Sequence, residues 1–135
     1  MKLVSFGQRG KVAQTSPTQR SLKALRDAGY TAQVVERWNP YGKVRVDLFG
    51  FVDIVIIRKE EIGVTGVQTT SQSNISKRLQ KILCSHEAKL WLETGNRILL
   101  HGWAKKGAKD KRKLWKVTER FVTLEDFNEE QQKEP

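Results

Sequence analysis

A single aspartate interrupts the most apolar stretch of the chain. Asp53 lies within residues 51–57, Phe-Val-Asp-Ile-Val-Ile-Ile, and this β-branched run predicts a buried central strand. A carboxylate inside such a strand is costly unless it is paired, hydrogen-bonded or bound to a metal. Any fold that contains this strand must therefore supply a partner for Asp53.

A second apolar run follows closely and also ends in polar residues. Residues 62–70 end in Gln68-Thr69-Thr70, and a charged turn at residues 58–61 separates the two runs. Two strands joined by a short polar turn are typical of a β-hairpin. In that hairpin, Asp53 would lie close to Gln68 at the strand ends.

These polar groups together could hold a divalent cation. The predicted ligands are the carboxylate of Asp53, the amide oxygen of Gln68 and the backbone carbonyl of Thr69, with Asp47 as a further carboxylate just upstream. Hard oxygen ligands of this kind suit Mg²⁺ or Mn²⁺. Structural alternatives remain open, because Asp53 could be satisfied by backbone N–H groups and the triplet at residues 68–70 could be a polar strand end.

The charge of the chain indicates a polyanionic partner. The formal net charge is +10, although residues 125–135 hold five acidic residues and one lysine. A basic body of this kind favours contact with phosphates, and solubility alone is the alternative explanation. The predicted phosphate contacts lie upstream of Asp53, on a helix after the triplet and in a loop at residues 105–113: Lys43, Arg45, Arg78, Lys81, Lys105, Lys106, Lys109, Lys111, Arg112 and Lys113.

Other classes of function are disfavoured by the composition. No run of about 18 apolar residues is present, so we expect no membrane span, and the first seven residues lack the apolar core of a signal peptide. Cys84 is the only cysteine, which excludes an internal disulfide and fits a reducing cytoplasm. His86 and His101 show no metal-ligand spacing. The four tryptophans are expected in the core or at a dimer contact, in preference to a role as base-stacking platforms.

The order of predicted elements indicates a small α/β sandwich. Residues 1–15 form a flexible basic arm, residues 16–124 a single domain and residues 125–135 an acidic tail, disordered after Phe127. Ser16-Pro17-Thr18-Gln19 is a helix start with a capping box. The predicted elements are helices at 17–28, from Ser73-Asn74 onward and at 85–94, and strands at 31–38, 51–57, 62–70, 97–103 and 114–122. They suggest a mixed central sheet flanked by helices.

This layout resembles the PD-(D/E)xK nuclease superfamily, whose core is a helix, a three-stranded meander, a helix and a further strand. The resemblance covers residues 16–103 and is greatest to the small archaeal-type Holliday junction resolvases and their phage relatives. Asp53 takes the place of the first acidic residue of the family, and Gln68-Thr69-Thr70 that of its (D/E)-x-K triplet. The resemblance implies a restriction-endonuclease-like fold, a homodimer and a cytoplasmic location in a prokaryotic or phage-infected cell.

The chain departs from the family at two catalytic positions. Gln68 replaces an acid and Thr70 replaces the lysine that stabilises the developing charge, so Lys77, Lys43 or Arg45 would have to supply the cation. The helix that carries Lys77 could also be an ordinary solvated face. Gln19 stands where some relatives have a glutamate.

The resemblance implies a metal-dependent endonuclease for branched or structured DNA, with Asp53, Gln68, Thr70 and Lys77 as its catalytic residues. The departures leave open a DNA-binding protein that has lost catalysis. A third alternative, favoured only by the charge, is an RNA-binding or ribosome-associated protein.

Overall fold

Helix α1 begins at the predicted capping sequence. The computed structural model describes residues 15–133, so the predicted basic arm lies almost entirely outside the described residues. Helix α1 spans Pro17–Asp27, and the side chain of Ser16 accepts a hydrogen bond from the backbone N–H of Gln19. The helix buries Leu22 and Leu25, whereas Ala28 is exposed at the C-cap.

Five strands form a mixed central sheet in the order β1-β4-β5-β6-β7. Strands β1, β4 and β5 are a meander of antiparallel neighbours, β6 runs parallel to β5, and β7 is antiparallel to β6. A separate two-stranded hairpin, β2–β3, lies between β1 and β4 in the chain. The strands are β1 (Thr31–Val34), β2 (Arg37–Asn39), β3 (Val44–Val46), β4 (Ile54–Ile57), β5 (Thr65–Ser71), β6 (Arg97–Lys106) and β7 (Leu114–Val122).

The expectation of one strand over residues 31–38 is wrong, because the chain leaves the sheet at Glu36. Val35 still donates its backbone N–H to the carbonyl of Asp53, at 2.9 Å. Beyond that point, Arg37 and its neighbours pair with β3 instead of β4. The first strand is therefore split into β1 and β2, and Glu36 lies at the bend between them.

Helices α2 and α3 follow the meander, and helix α4 lies at the end of the described residues. Helix α2 (Ile75–Leu83) is entered through a short 3-10 turn, and the expected side-chain cap from Asn74 is not formed. Helix α3 (His86–Glu93) is confirmed, with Ser85 as its cap. Helix α4 spans Leu124–Lys133, so the expectation of disorder after Phe127 is wrong for residues 128–133.

The sheet separates two apolar cores. Helix α1 covers one face, where its leucines pack with Ala32, Ile54, Ile56, Val67 and Leu99. Helices α2, α3 and α4 contribute to the other face, where Val52, Ile98 and Leu100 are fully buried. The predicted mixed central sheet with flanking helices is thus confirmed.

The tryptophans do not all belong to these cores. Trp103 is buried and Trp91 is partly buried against the second core. Trp38 and Trp115 are exposed, so they are not core residues, and the dimer contact expected as the alternative stays a prediction. Within the described range 15–133, no helix combines the length and the apolar character that a membrane crossing requires.

Candidate metal centre

Two backbone hydrogen bonds hold Asp53 in place directly before β4. Its N–H donates to the carbonyl of Val67 at 2.9 Å, and its carbonyl accepts from the N–H of Val35 at 2.9 Å. These bonds place Asp53 between the end of β1 and the middle of β5. Only 4% of the residue is exposed, so its carboxylate lies in the interior, as the apolar run around it predicts.

One oxygen of the Asp53 carboxylate accepts three hydrogen bonds from β5. Oδ2 accepts from the backbone N–H of Thr69 at 2.8 Å, from its hydroxyl at 3.1 Å and from Nε2 of Gln68 at 3.0 Å. The hydroxyl of Thr69 also lies 2.7 Å from that of Thr18 on α1. Asp53 therefore has the backbone partner that the structural interpretation requires. Thr69 contacts Asp53 through its N–H and its hydroxyl, and the role of its carbonyl as a metal ligand stays a prediction.

A tight turn folds Asp47 back onto Asp53. Residues Phe49 and Gly50 both have positive φ angles, 54° and 81°, a conformation that costs a non-glycine residue energy. The turn is closed by a bridge between Leu48 and Val52. Its consequence is that two carboxylates six positions apart in the sequence lie side by side.

Glu36 completes a cluster of three carboxylates that the sequence did not predict. One oxygen each from Glu36, Asp47 and Asp53 lies within 4.8 Å of the others. Glu36 reaches the cluster because β1 ends just before it and the chain turns away from the sheet there. The only sequence signal was a glutamate directly after Val34-Val35, inside a stretch that was assigned to a single strand.

Gln68 bridges two of these carboxylates and leaves one of its own atoms without a partner. Its Nε2 donates to Oδ2 of Asp53 and, at 3.2 Å, to Oδ2 of Asp47. The residue is only 1% exposed, yet among the described residues its Oε1 is a buried side-chain atom without a hydrogen-bond partner. An unsatisfied buried amide oxygen is unfavourable by about 1–3 kcal/mol. The site therefore contains an acceptor that still lacks a donor or a cation.

The negative charges in the cluster repel each other. The pKa of Asp47 is raised to about 6, first by burial and then by the hydrogen bond and negative charge of Asp53, against the hydrogen bond from Gln68 and the positive charge of Lys81. Lys81 on α2 is thus a cation that acts on the cluster. Lys77 lies one helical turn before it on the same helix.

The predicted phosphate contacts divide into three groups, one of which is Arg78 and Lys81 on α2. Lys43 and Arg45 lie on the β2–β3 hairpin, and Arg45 Nη1 approaches Glu36 Oε1 at 3.8 Å. The cations of residues 105–113 are exposed at the tip of the β6–β7 hairpin. In the register of the sheet, Gln68 pairs with Leu100, so Lys106 lies about 20 Å further along β6. The β2–β3 hairpin therefore reaches the site through Arg45, whereas the loop at residues 105–113 lies away from it.

A second set of polar residues has the composition of a hydrolytic triad but not its accessibility. Ser21 Oγ lies 2.9 Å from Nδ1 of His101, and Nε2 of His101 lies 2.9 Å from Glu119. Ser21 is fully buried and also accepts the indole N–H of Trp103 at 2.8 Å. The serine is therefore inaccessible to any substrate, and these hydrogen bonds connect α1 to β6.

The structure thus brings Asp53, Gln68, Thr69 and Asp47 together and adds Glu36. Thr70 is buried next to them in β5. No family model matches the chain, and no match was found among curated proteins or among solved structures. The geometry of the described residues is therefore the basis for assigning a function.

Proposed function

We propose that the protein is a Mg²⁺- or Mn²⁺-dependent DNA endonuclease that acts on branched or structured DNA. The observation that carries this proposal is the cluster of Glu36, Asp47 and Asp53 beside the buried amide of Gln68, whose oxygen has no hydrogen-bond partner among the described residues. Three carboxylates are hard donors of the kind that Mg²⁺ and Mn²⁺ prefer, and the Gln68 amide would add its oxygen after a half-turn that moves Nε2 away from Asp47 and Asp53. The residues present therefore fit such an ion.

The order of the elements supports the same proposal. Helix α1, the antiparallel strands β1, β4 and β5, helix α2 and the parallel strand β6 follow one another as in the PD-(D/E)xK core. The β2–β3 hairpin would then be an insertion in the meander. Asp53 and Gln68 lie on adjacent strands, as the first acid and the triplet of that superfamily would.

Two departures from the family pattern have physical replacements nearby. The acid missing at Gln68 would be replaced by Glu36 and Asp47, which the structure places beside Asp53. The cation missing at Thr70 would be replaced by Lys81, whose charge already acts on Asp47. Lys77 and Arg45 remain further candidates for that role.

Each group has a defined part in the proposed reaction. A bound ion would polarise the scissile phosphodiester and lower the pKa of an attacking water. Asp53, Asp47 and Glu36 would hold the ion through their oxygens, and the hydroxyl of Thr70 would position the water. Lys81 would stabilise the charge that develops on the phosphate. The basic residues of the β2–β3 and β6–β7 hairpins would hold the flanking backbone without reading sequence.

A second candidate is a DNA-binding protein that has lost catalysis. The observation that favours it is the orientation of Gln68, whose amide N–H₂ group already satisfies Asp47 and Asp53. Such hydrogen bonds would stabilise a catalytically inactive site without a metal. The two candidates share the basic surface and the expectation of a homodimer, and they differ in whether metal ions support cleavage.

A cleavage assay with an isosteric variant tests both candidates. The wild type and Asp53→Asn would be incubated with a labelled four-way junction, a flap and a linear duplex, each with Mg²⁺, Mn²⁺ or EDTA. We expect metal-dependent nicking by the wild type and none by Asp53→Asn, with DNA binding retained or tightened because a negative charge is removed. Asp27→Asn is the matched control, since Asp27 is an exposed carboxylate on α1 paired with Lys23.

The outcomes separate the alternatives. Equal cleavage by the wild type and Asp53→Asn would remove Asp53 from the mechanism. Tight binding without cleavage under any metal would leave the second candidate. Failure of the wild type to bind any of the three DNAs would overturn both.

A further inference from the structure

The β2–β3 hairpin leaves the sheet beside the carboxylate cluster and carries exposed aromatic rings. Trp38 is 53% exposed and Tyr41, at the turn, is 96% exposed. The hairpin makes few contacts with the rest of the described fold, so these rings are not there to stabilise a core. Large exposed aromatic side chains without a packing role mark interaction surfaces.

The register places Trp38 on the side of the hairpin that faces the cluster. Trp38 is directly opposite Arg45, and opposite residues of an antiparallel pair share one face. Arg45 approaches Glu36 at 3.8 Å, so Glu36 belongs to this face as well. Trp38 follows Glu36 by two residues, which corresponds to about 7 Å along an extended chain. The Cα atoms of Trp38 and Glu36 are therefore no more than about 7 Å apart, which places Trp38 next to a residue of the proposed metal centre.

The hairpin is held in shape and is positively charged. The side chain of Asn39 accepts hydrogen bonds from the backbone N–H groups of Tyr41 and Gly42, which closes the turn. Arg37, Lys43 and Arg45 are exposed along the two strands. A rigid basic hairpin with an exposed indole is complementary to a phosphate backbone that carries an unstacked base.

We propose that Trp38 is a stacking platform for an unpaired nucleotide of branched DNA, next to the scissile phosphate. This inference rests on the proposed function, and it explains how a site without sequence-reading elements would prefer structured DNA. In a continuous duplex each base is already stacked on its neighbours, so the indole gains little. At a branch point or flap an unpaired base is available, and its stacking on the indole draws the adjacent phosphate towards Asp53.

Binding measurements in EDTA test this proposal without cleavage of the DNA. One probe is a flap that carries 2-aminopurine at its first unpaired nucleotide, and the other is the same sequence fully paired. We expect the wild type to quench the 2-aminopurine fluorescence of the flap. Trp38→Ala should remove this quenching and weaken flap binding by about tenfold, with less than about a twofold change for the duplex. Trp38→Phe should restore most of the flap affinity, because a phenyl ring also stacks.

Phe121→Ala is the matched control. Phe121 is 52% exposed, but it lies on β7, at the opposite edge of the sheet from β1. Its removal should leave the flap and duplex affinities unchanged. Equal flap affinity and equal quenching for the wild type and Trp38→Ala, with DNA binding intact, would overturn the stacking role alone. Failure of the wild type to bind either DNA would overturn the proposed function and this inference together.

Discussion

The described residues satisfy only one half of the Gln68 amide. Its nitrogen bonds two carboxylates while its oxygen is buried without a hydrogen-bond partner in the described part of the chain. A half-turn of the amide would exchange the two atoms and present the oxygen to Asp47 and Asp53. That orientation is repulsive without a cation and favourable with one, so metal binding and amide rotation are expected to be coupled.

Gln68→Glu tests this coupling. In the absence of metal, a further carboxylate beside Asp47 and Asp53 should destabilise the fold, whereas with Mn²⁺ bound it should contribute an additional anionic ligand. We expect the melting temperature in EDTA to fall by several degrees and the affinity for Mn²⁺ to rise about tenfold, which corresponds to about 1.4 kcal/mol. Thermal melts in EDTA and calorimetric titration with Mn²⁺ measure the two effects.

The control for Gln68 is Gln33→Glu on the exposed side of β1, which should change neither quantity appreciably. Unchanged Mn²⁺ affinity in Gln68→Glu would show that residue 68 is not a ligand. A rise in melting temperature in EDTA would show that the carboxylates of the cluster do not repel a further charge.

At the scale of elements, the two hairpins have different proposed tasks. The β2–β3 hairpin stands beside the cluster, whereas the tip of the β6–β7 hairpin projects beyond the sheet and exposes most of the clustered lysines. Exposed lysines at a distance from the reacting phosphate would contribute affinity for the backbone and little else. The β6–β7 hairpin is therefore expected to determine the affinity for DNA and not the position of the bound DNA relative to the site.

Neutralisation of Lys109, Lys111 and Lys113 by glutamine tests that division. We expect weaker binding to junction, flap and duplex by the same factor. The slope of log K against log salt concentration should flatten by about one per lost phosphate contact. The measurement is a salt titration of binding by fluorescence anisotropy.

Lys59→Gln is the control for the loop, because Lys59 lies in the β4–β5 turn at the opposite end of the sheet. An unaltered salt slope in the triple variant would contradict contact between the loop and the backbone. A loss of affinity for only one of the three DNAs would show that the loop recognises DNA structure.

Local signals explain which elements could be predicted from the sequence. Helix α1 has a capping box and a glycine stop, and β7 has the expected bounds because a basic loop and Thr123 delimit it. The hairpin of β4 and β5 followed from two apolar runs and a charged turn. These features depend on neighbours in the sequence, and for that reason they were accessible without the fold.

The bend at Glu36 and the turn at Phe49 could not be predicted in the same way. Both depend on tertiary pairing: Val35 bonds to Asp53, and Leu48 is bridged to Val52. A positive φ at Phe49 has no sequence signal, since aromatic residues rarely adopt it. The site was therefore predicted only for its parts on β4 and β5 and for Asp47, while Glu36 and the role of Lys81 needed the structure.

On the scale of the whole molecule, two buried groups should give the stability opposite dependences on pH. The folded-state pKa of Asp47 is raised to about 6 by burial and by Asp53, so its contribution to stability is fully present below about pH 4 and is lost as pH rises through 6. Burial lowers the pKa of His101 despite the opposing effect of Glu119. Its contribution is therefore present above its ordinary pKa of about 6.5 and is lost as pH falls.

Asp47→Asn should separate these two effects. The variant lacks the repulsive charge, so in EDTA we expect it to be more stable than the wild type above pH 6, by about 1 kcal/mol or a few degrees in melting temperature. The difference should vanish near pH 4, where the wild-type carboxyl is protonated as well. The fall in stability that His101 causes below pH 6.5 should remain in both proteins. Urea denaturation between pH 4 and pH 8 measures this difference.

Metal ions should reverse the order of the two proteins. Mn²⁺ requires the ionised carboxylate, so at pH 7.5 it should stabilise the wild type and have a much smaller effect on Asp47→Asn. Below pH 6 its affinity for the wild type should fall as protons compete for Asp47. A stability difference that does not depend on pH would contradict the raised pKa of Asp47. Equal stabilisation of both proteins by Mn²⁺ would show that the ion binds elsewhere, which would remove the carboxylate cluster from the proposed function.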